Sequence, residues 1–232
     1  MKPILPGLYT FTGLITGRVY LIDDSDGLTL IDASIPPSAP KILKQIEGMG
    51  RKPTDVKRIL ITHAHPDHHG DLPALKKATG ARVISSALEK PVIEGKQDVT
   101  RPDPSTLKGI SRLIRMPETF LPASEVDQII EDGEMIEVMG GLQAVFTPGH
   151  APGHMAFWQP EKRVLFCGDV LFHLIGVTLP PSFVTVDMDE NKRSVRKIAK
   201  LSPEIVCFGH GNPLSQDATH TLLNFAQKLI TS

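Results

Sequence analysis

The sequence predicts an α+β fold in which two β-sheets pack face to face and helices cover the outside. Short apolar strand-like runs dominate both halves of the chain, and each half finishes in helical patterns. Polar side chains crowd at the ends of several runs, which is where a rigid sheet presents functional groups to a shared cleft.

The first third reads as strand, strand, strand, helix, strand. Val19-Tyr20-Leu21-Ile22 and Leu28-Thr29-Leu30-Ile31 flank the turn Asp24-Ser25-Asp26-Gly27, a hairpin signal with glycine where positive φ is needed. A helix capped near Ser38 follows, with Ile42, Leu43 and Ile46 on one face. Residues 56–61 form an apolar strand, 71–79 a short helix closed by Gly80, and 82–84 a further strand. Residues 90–124 break this order with five prolines around an amphipathic stretch at 107–116, the pattern of an insertion or lid. Strands return at 135–138, 143–146, 154–158 and 163–166. Amphipathic helices at 190–201 and 217–230 follow, the second aligning Leu222, Phe225, Ala226 and Leu229. No repeat or linker divides residues 1–232, so a single domain is expected.

Composition excludes several classes. With 41% apolar and 22% charged residues, the chain has ordinary globular usage. Lys plus Arg number 25 against 26 Asp plus Glu, a formal charge of -1, so no overall positive field gathers nucleic acid or anionic lipid. No run approaches the roughly 18 apolar residues that span a bilayer, and the start lacks a signal-peptide core, so a cytoplasmic location without membrane contact is expected. Cys167 and Cys207 each sit inside an apolar run and read as buried free thiols.

Four of the nine histidines crowd into Thr62-His63-Ala64-His65-Pro66-Asp67-His68-His69-Gly70, directly after a buried strand. Metal coordination accounts for such costly groups at a sheet end: imidazole nitrogens bind borderline ions at roughly 2.0–2.1 Å, and aspartate adds the charge that holds a second cation nearby. The tight loop lets His63 and His65 converge on one ion while Asp67 and His68 turn toward another. His150, Asp169 and His210 each end a strand-like run beside a glycine. His69, His154, His173 and His220 are left over, with His220 on the surface of the last helix and His173 placed to face the cleft.

These residues closely resemble the metallo-β-lactamase superfamily, whose H-x-H-x-D-H signature stands here as His63, His65, Asp67 and His68, followed in order by His150, Asp169 and His210. The resemblance spans roughly residues 8–215 and implies the four-layer αββα sandwich. It implies two divalent metal ions, zinc expected with iron or manganese as alternatives: His63, His65 and His150 on the first, Asp67, His68 and His210 on the second, Asp169 bridging. Asp32, at the end of Leu30-Ile31-Asp32, matches an aspartate that buttresses the metal loop, although an ordinary turn former would also stand there.

The implied activity is hydrolysis of a small-molecule acyl substrate by a metal-bridging hydroxide, with Asp67 also shuttling a proton to the leaving group. Thioesters, lactones and other esters all fit. The short tail after His210 argues against the glutathione thioesters cleaved by the similar hydroxyacylglutathione hydrolases. Phe172 stands where lactonases of the family carry tyrosine, and His65 where the flavodiiron branch carries glutamate. Antibiotic-cleaving members are generally exported. Leu113, Met116, Phe172, Leu174 and Phe183 are candidate pocket walls. A mononuclear iron persulfide dioxygenase-like oxidoreductase and a phosphodiesterase stay open as alternatives.

Overall fold

A computed structural model gives the fold, with residues 1–114 and 122–229 described. A seven-stranded sheet runs in chain order through β1 (Lys2–Leu5), β2 (Leu8–Thr10), β3 (Tyr20–Asp24), β4 (Gly27–Ile31), β5 (Val56–Leu60), β6 (Arg82–Ser85) and β7 (Gln128–Ile129). Pairing is antiparallel from β1 to β4 and parallel from β4 to β7. The second sheet has β8 (Met135–Ile136), β9 (Leu142–Phe146), β10 (Met155–Gln159) and β11 (Val164–Gly168) in antiparallel order, with β14 (Ile205–Phe208) parallel on the far side of β11. A separate pair, β12 (Phe172–His173) and β13 (Val177–Thr178), follows β11.

Alternation along the strands sorts the core into three layers. Tyr20, Ile22, Leu60 and Ile84 of the first sheet meet Leu142, Phe157, Val164 and Phe166 of the second in the central layer. Leu21, Leu30, Ile59 and Val83 point the other way, onto α1 (Ala39–Glu47) and α3 (Leu72–Thr79) through Ile42, Ile46, Leu72 and Leu75. Ala156, Trp158, Leu165 and Cys167 face α5 (Met188–Ala199) and α6 (Ala218–Lys228), meeting Val195, Ile198 and Leu222. The result is the expected αββα order. The Tyr20 hydroxyl ties the two sheets by donating to Phe208 O at 2.7 Å.

Several boundaries differ from the sequence reading. Ser38 occupies the α1 cap position, but its hydroxyl donates to Ser34 Oγ, and the free helix N–H of Ala39 goes instead to the Asp71 carboxylate. The strand expected at 135–138 stops at Ile136 because Val138 N–H turns back to Ile136 O at 2.8 Å, ahead of Gly140 and Gly141 at positive φ. Over 107–114 there is only a 3-10 turn, Gly109–Leu113, which leaves Ile110 76% and Leu113 80% exposed, so its apolar side packs on nothing among the described residues. Met116 and the rest of 115–121 lie outside the described residues, as does Ile230, where the sequence reading ends the last helix. Both cysteines are buried and free, and no helix of the described residues is long and apolar enough to cross a membrane.

Candidate metal centre

The polypeptide leaves β5 at the histidine cluster, and a buried carboxylate organises the exit. Asp32, just past β4 with φ 64°, sits in the left-handed region that a non-glycine residue occupies at a cost. Its Oδ1 accepts Thr62 N–H at 2.8 Å, and its Oδ2 accepts the Thr62 hydroxyl at 2.9 Å and His68 Nδ1–H at 2.8 Å. Thr62 Oγ1 in turn accepts His63 Nδ1–H at 3.0 Å. Each contact puts a ring proton on Nδ1 and turns the Nε2 of His63 and His68 toward the cavity. The short helix α2 (Pro66–His69) then carries Asp67 and His68 around the corner.

The other ligands arrive from the second sheet. His150 follows β9, donating Nδ1–H to Thr185 Oγ1 at 3.2 Å, and its Nε2 lies 2.9 Å from His65 Nδ1. Asp169 follows β11 and His210 follows β14, where Gly209 is the clearance point: a Cβ there would sit 1.9 Å from Asp169 Oδ1 and 2.7 Å from His68 Cε1. The seven predicted residues therefore meet in one place, as two donor sets. His63, His65, His150 and Asp169 form one, and Asp67, His68 and His210 the other, with the donor atoms of each set all within 4.8 Å of one another. Asp169 also reaches the second set, with Oδ1 3.2 Å from His68 Nε2 and Oδ2 3.3 Å from His210 Nε2.

This arrangement fits cations. Four donors at about 2.0–2.1 Å around zinc stand about 3.3 Å apart, close to the spacings found here. His63 Nε2 is buried without a hydrogen-bond partner among the described residues, and the lone pair of His150 Nε2 confronts another ring nitrogen. Such an array is unfavourable until a proton or a metal ion lies between the nitrogens.

Charge is divided unevenly between the sets. Burial, then the neighbouring histidines, pushes His63 and His65 well below the ordinary histidine range, so both are neutral. For His68, burial acts downward but is outweighed by Asp169, Asp32 and Asp67, and the net direction is up. His210 rises to about 9, because Asp169 and Asp67 overcome its desolvation. Asp169 and Asp67 resist the upward pull of burial through those same histidines and stay ionised.

The remaining sequence candidates divide. Phe172 lies in the cleft, its ring centroid 4.3 Å from His210 and 6.5 Å from His150. Leu113 and Leu174 are 80% and 70% exposed, while Phe183 is half-buried. His173 turns from the cleft: its Nδ1–H donates to Asn212 O at 2.7 Å and its ring rests on Phe208. His154, a leftover in the sequence, is fully buried. Its Nε2 accepts Asp169 N–H at 3.1 Å while its Nδ1–H donates to Thr147 Oγ1 at 2.8 Å, a neutral ring that burial drives down to about 3. Its signal was its place at the mouth of the fully buried β10, where a free imidazole would be costly. Glu89 had no such signal. Its carboxylate, 3% exposed, accepts Ala64 N–H at 2.8 Å and Gly153 N–H at 2.6 Å.

Comparison with known proteins agrees with this geometry. A family profile described as the metallo-β-lactamase superfamily matches residues 12–210. The protein YobT of Bacillus subtilis (strain 168) is 30% identical over 213 residues, 87% of this chain and 85% of its own. Hydroxyacylglutathione hydrolase GloC of Haemophilus influenzae is 30% identical over 195 residues, 82% of each chain. Among solved structures, BJP-1, a subclass B3 metallo-β-lactamase of Bradyrhizobium japonicum, aligns with a TM-score of 0.69 and 27% identity, over 97% of this chain and 88% of its own.

Proposed function

We propose, for a chain that belongs to the metallo-β-lactamase superfamily and is a metal-dependent hydrolase, that its two donor sets hold a pair of divalent ions, zinc by expectation, for hydrolysis of a small acyl substrate. One observation carries the pairing: Asp169 reaches both sets, with Oδ2 3.2 Å from His150 Nε2 and Oδ1 3.2 Å from His68 Nε2. His63, His65 and His150 would hold one ion, Asp67, His68 and His210 the other, with Asp169 between. When bound, such ions supply a hydroxide nucleophile at neutral pH and Lewis-acid polarisation of the acyl oxygen.

The protein's own groups do the rest. Asp32 and Thr62 hold the His63 and His68 tautomers, and Thr185 holds that of His150. Asp67, kept ionised with its side chain 22% exposed, accepts from the Thr16 hydroxyl at 3.2 Å and would carry a proton to the leaving group. Phe172 sets an apolar ring 4.3 Å from that of His210. The excursion at 90–124 is read as a lid within one domain spanning 1–232. Ser182 Oγ donates to Ser111 Oγ at 3.0 Å, and Thr185, on the same turn, meets His150.

Among acyl substrates, thioesters stand first. GloC is named for a glutathione thioester and matches over 82% of its own length. The deciding experiment is metal analysis of purified protein with assays on thioesters, lactones, phosphodiesters and, by oxygen uptake, glutathione persulfide. About two ions per chain with chelator-sensitive thioester or ester hydrolysis is expected. One iron per chain with oxygen uptake and no hydrolysis would overturn the reading, and phosphodiester cleavage alone would move the substrate class.

A further inference from the structure

We propose that Glu89 is a positioning residue for the first metal site, its two carboxylate oxygens gripping the backbone on both sides of that site and setting the distance between the His63–His65 loop and the His150 loop. This rests on the two-ion reading above. Ala64, whose N–H goes to Oε2 at 2.8 Å, stands between His63 and His65 in the chain. Gly153, whose N–H goes to Oε1 at 2.6 Å, ends the turn that begins at His150 and precedes His154. One side chain therefore fixes two loops carried by different sheets.

The grip on the second loop is closed from both sides. The Ser86 hydroxyl donates to Gly153 O at 2.7 Å while accepting Glu89 N–H at 3.3 Å, so Ser86 takes the carbonyl and Glu89 the amide of the same residue. Gly153 is pressed onto this bracket: a Cβ there would stand 2.5 Å from Ser86 Oγ, 2.7 Å from Leu88 Cβ and 2.9 Å from Glu89 Cγ. Only a glycine permits that approach. Two backbone donors demand two acceptors, which a carboxylate supplies and an amide cannot, since an NH2 would oppose one of the N–H groups. Asp67, His68 and His210 make no hydrogen bond to the bracket, so its direct hold is on the loops of one donor set.

The test is Glu89→Gln, compared with the parent protein by competitive zinc titration against a chelator, which gives two stepwise affinities, and by the visible spectrum of the cobalt-loaded protein. The first-site affinity should fall by about 10–100-fold, the range for loss of a group that orients a ligand, with the second-site affinity unchanged and the cobalt bands of the histidine-rich site altered. Ser86→Ala, which keeps the carboxylate, should move the same constant less, and it decides the matter if Glu89→Gln does not fold. Equal weakening of both sites, or a lowered Tm with both affinities intact, would reduce Glu89 to general structure and overturn the proposal. A parent that binds only one ion would instead sink the two-ion reading, and the effect of Glu89→Gln on that one ion would still decide the bracket.

Discussion

His68 gives its Nδ1 proton to Asp32 Oδ2 across 2.8 Å, and this buried pair links the end of β4 to the second donor set. Asp32→Asn keeps the size and removes the charge, and its amide must present NH2 to a group that needs an acceptor. Second-site zinc affinity should drop by about 10–100-fold. Chelator competition measures it, and an unchanged second constant would show that His68 needs no partner.

His68→Ala, His63→Ala and Asp169→Ala separate two-ion from one-ion chemistry. His68→Ala should leave about one ion per chain and lower kcat by about 10²–10³-fold, the scale for losing a charge-stabilising group. His63→Ala and Asp169→Ala should impair hydrolysis at least as much, since His63 belongs to the first set and Asp169 reaches both. Near-normal turnover by His68→Ala carrying a single metal would rule out the two-ion mechanism.

Metal uptake should release protons unequally. His63 and His65 are already neutral, whereas His68 and His210, the latter titrating at about 9, are protonated at pH 7 and must lose their protons to coordinate. A raised pKa means that protons compete below it, so second-site affinity falls as pH is lowered from 9 to 7, while the first site changes less. Titration calorimetry in buffers of different ionisation enthalpy counts the protons at each step. More protons at the histidine-rich site would contradict the assignment.

His154→Ala tests a group that touches no ion. Removing the ring strands Asp169 N–H in the interior, at about 1–3 kcal/mol, and leaves the Thr147 hydroxyl only its 3.5 Å bond to His154 O. Denaturant unfolding of the metal-free protein should show that loss, while saturating zinc still gives two ions per chain. A variant as stable as the parent would mean that water replaces the ring.

The sheets were legible because β10 and β11 are buried on both faces, as are Tyr20–Ile22 of β3 and Ile59–Leu60 of β5, which leaves apolar runs in the sequence. The ligands were legible because metal chemistry admits few residue types, and four of them fall within one tight loop. What was missed depends on contacts with no local pattern. Glu89 in Ser-Ser-Ala-Leu-Glu-Lys-Pro looks like a surface residue opening a helix, and only the fold brings Ala64 and Gly153 to it. Over 107–114 the amphipathic spacing meets no partner, since no surface lies beneath Ile110 and Leu113 among the described residues.

His63, His65, Asp67 and His68 hang from the sheet that holds β5, whereas His150, Asp169 and His210 hang from the sheet that holds β9, β11 and β14. Ions seated there would act as a clasp across the seam, since parting the halves dismantles every coordination sphere together. Unfolding then becomes linked to metal concentration, gaining about 2.7 kcal/mol when free ion stands 100-fold above its dissociation constant. Metal supply would thus govern the lifetime of the folded chain as well as its chemistry.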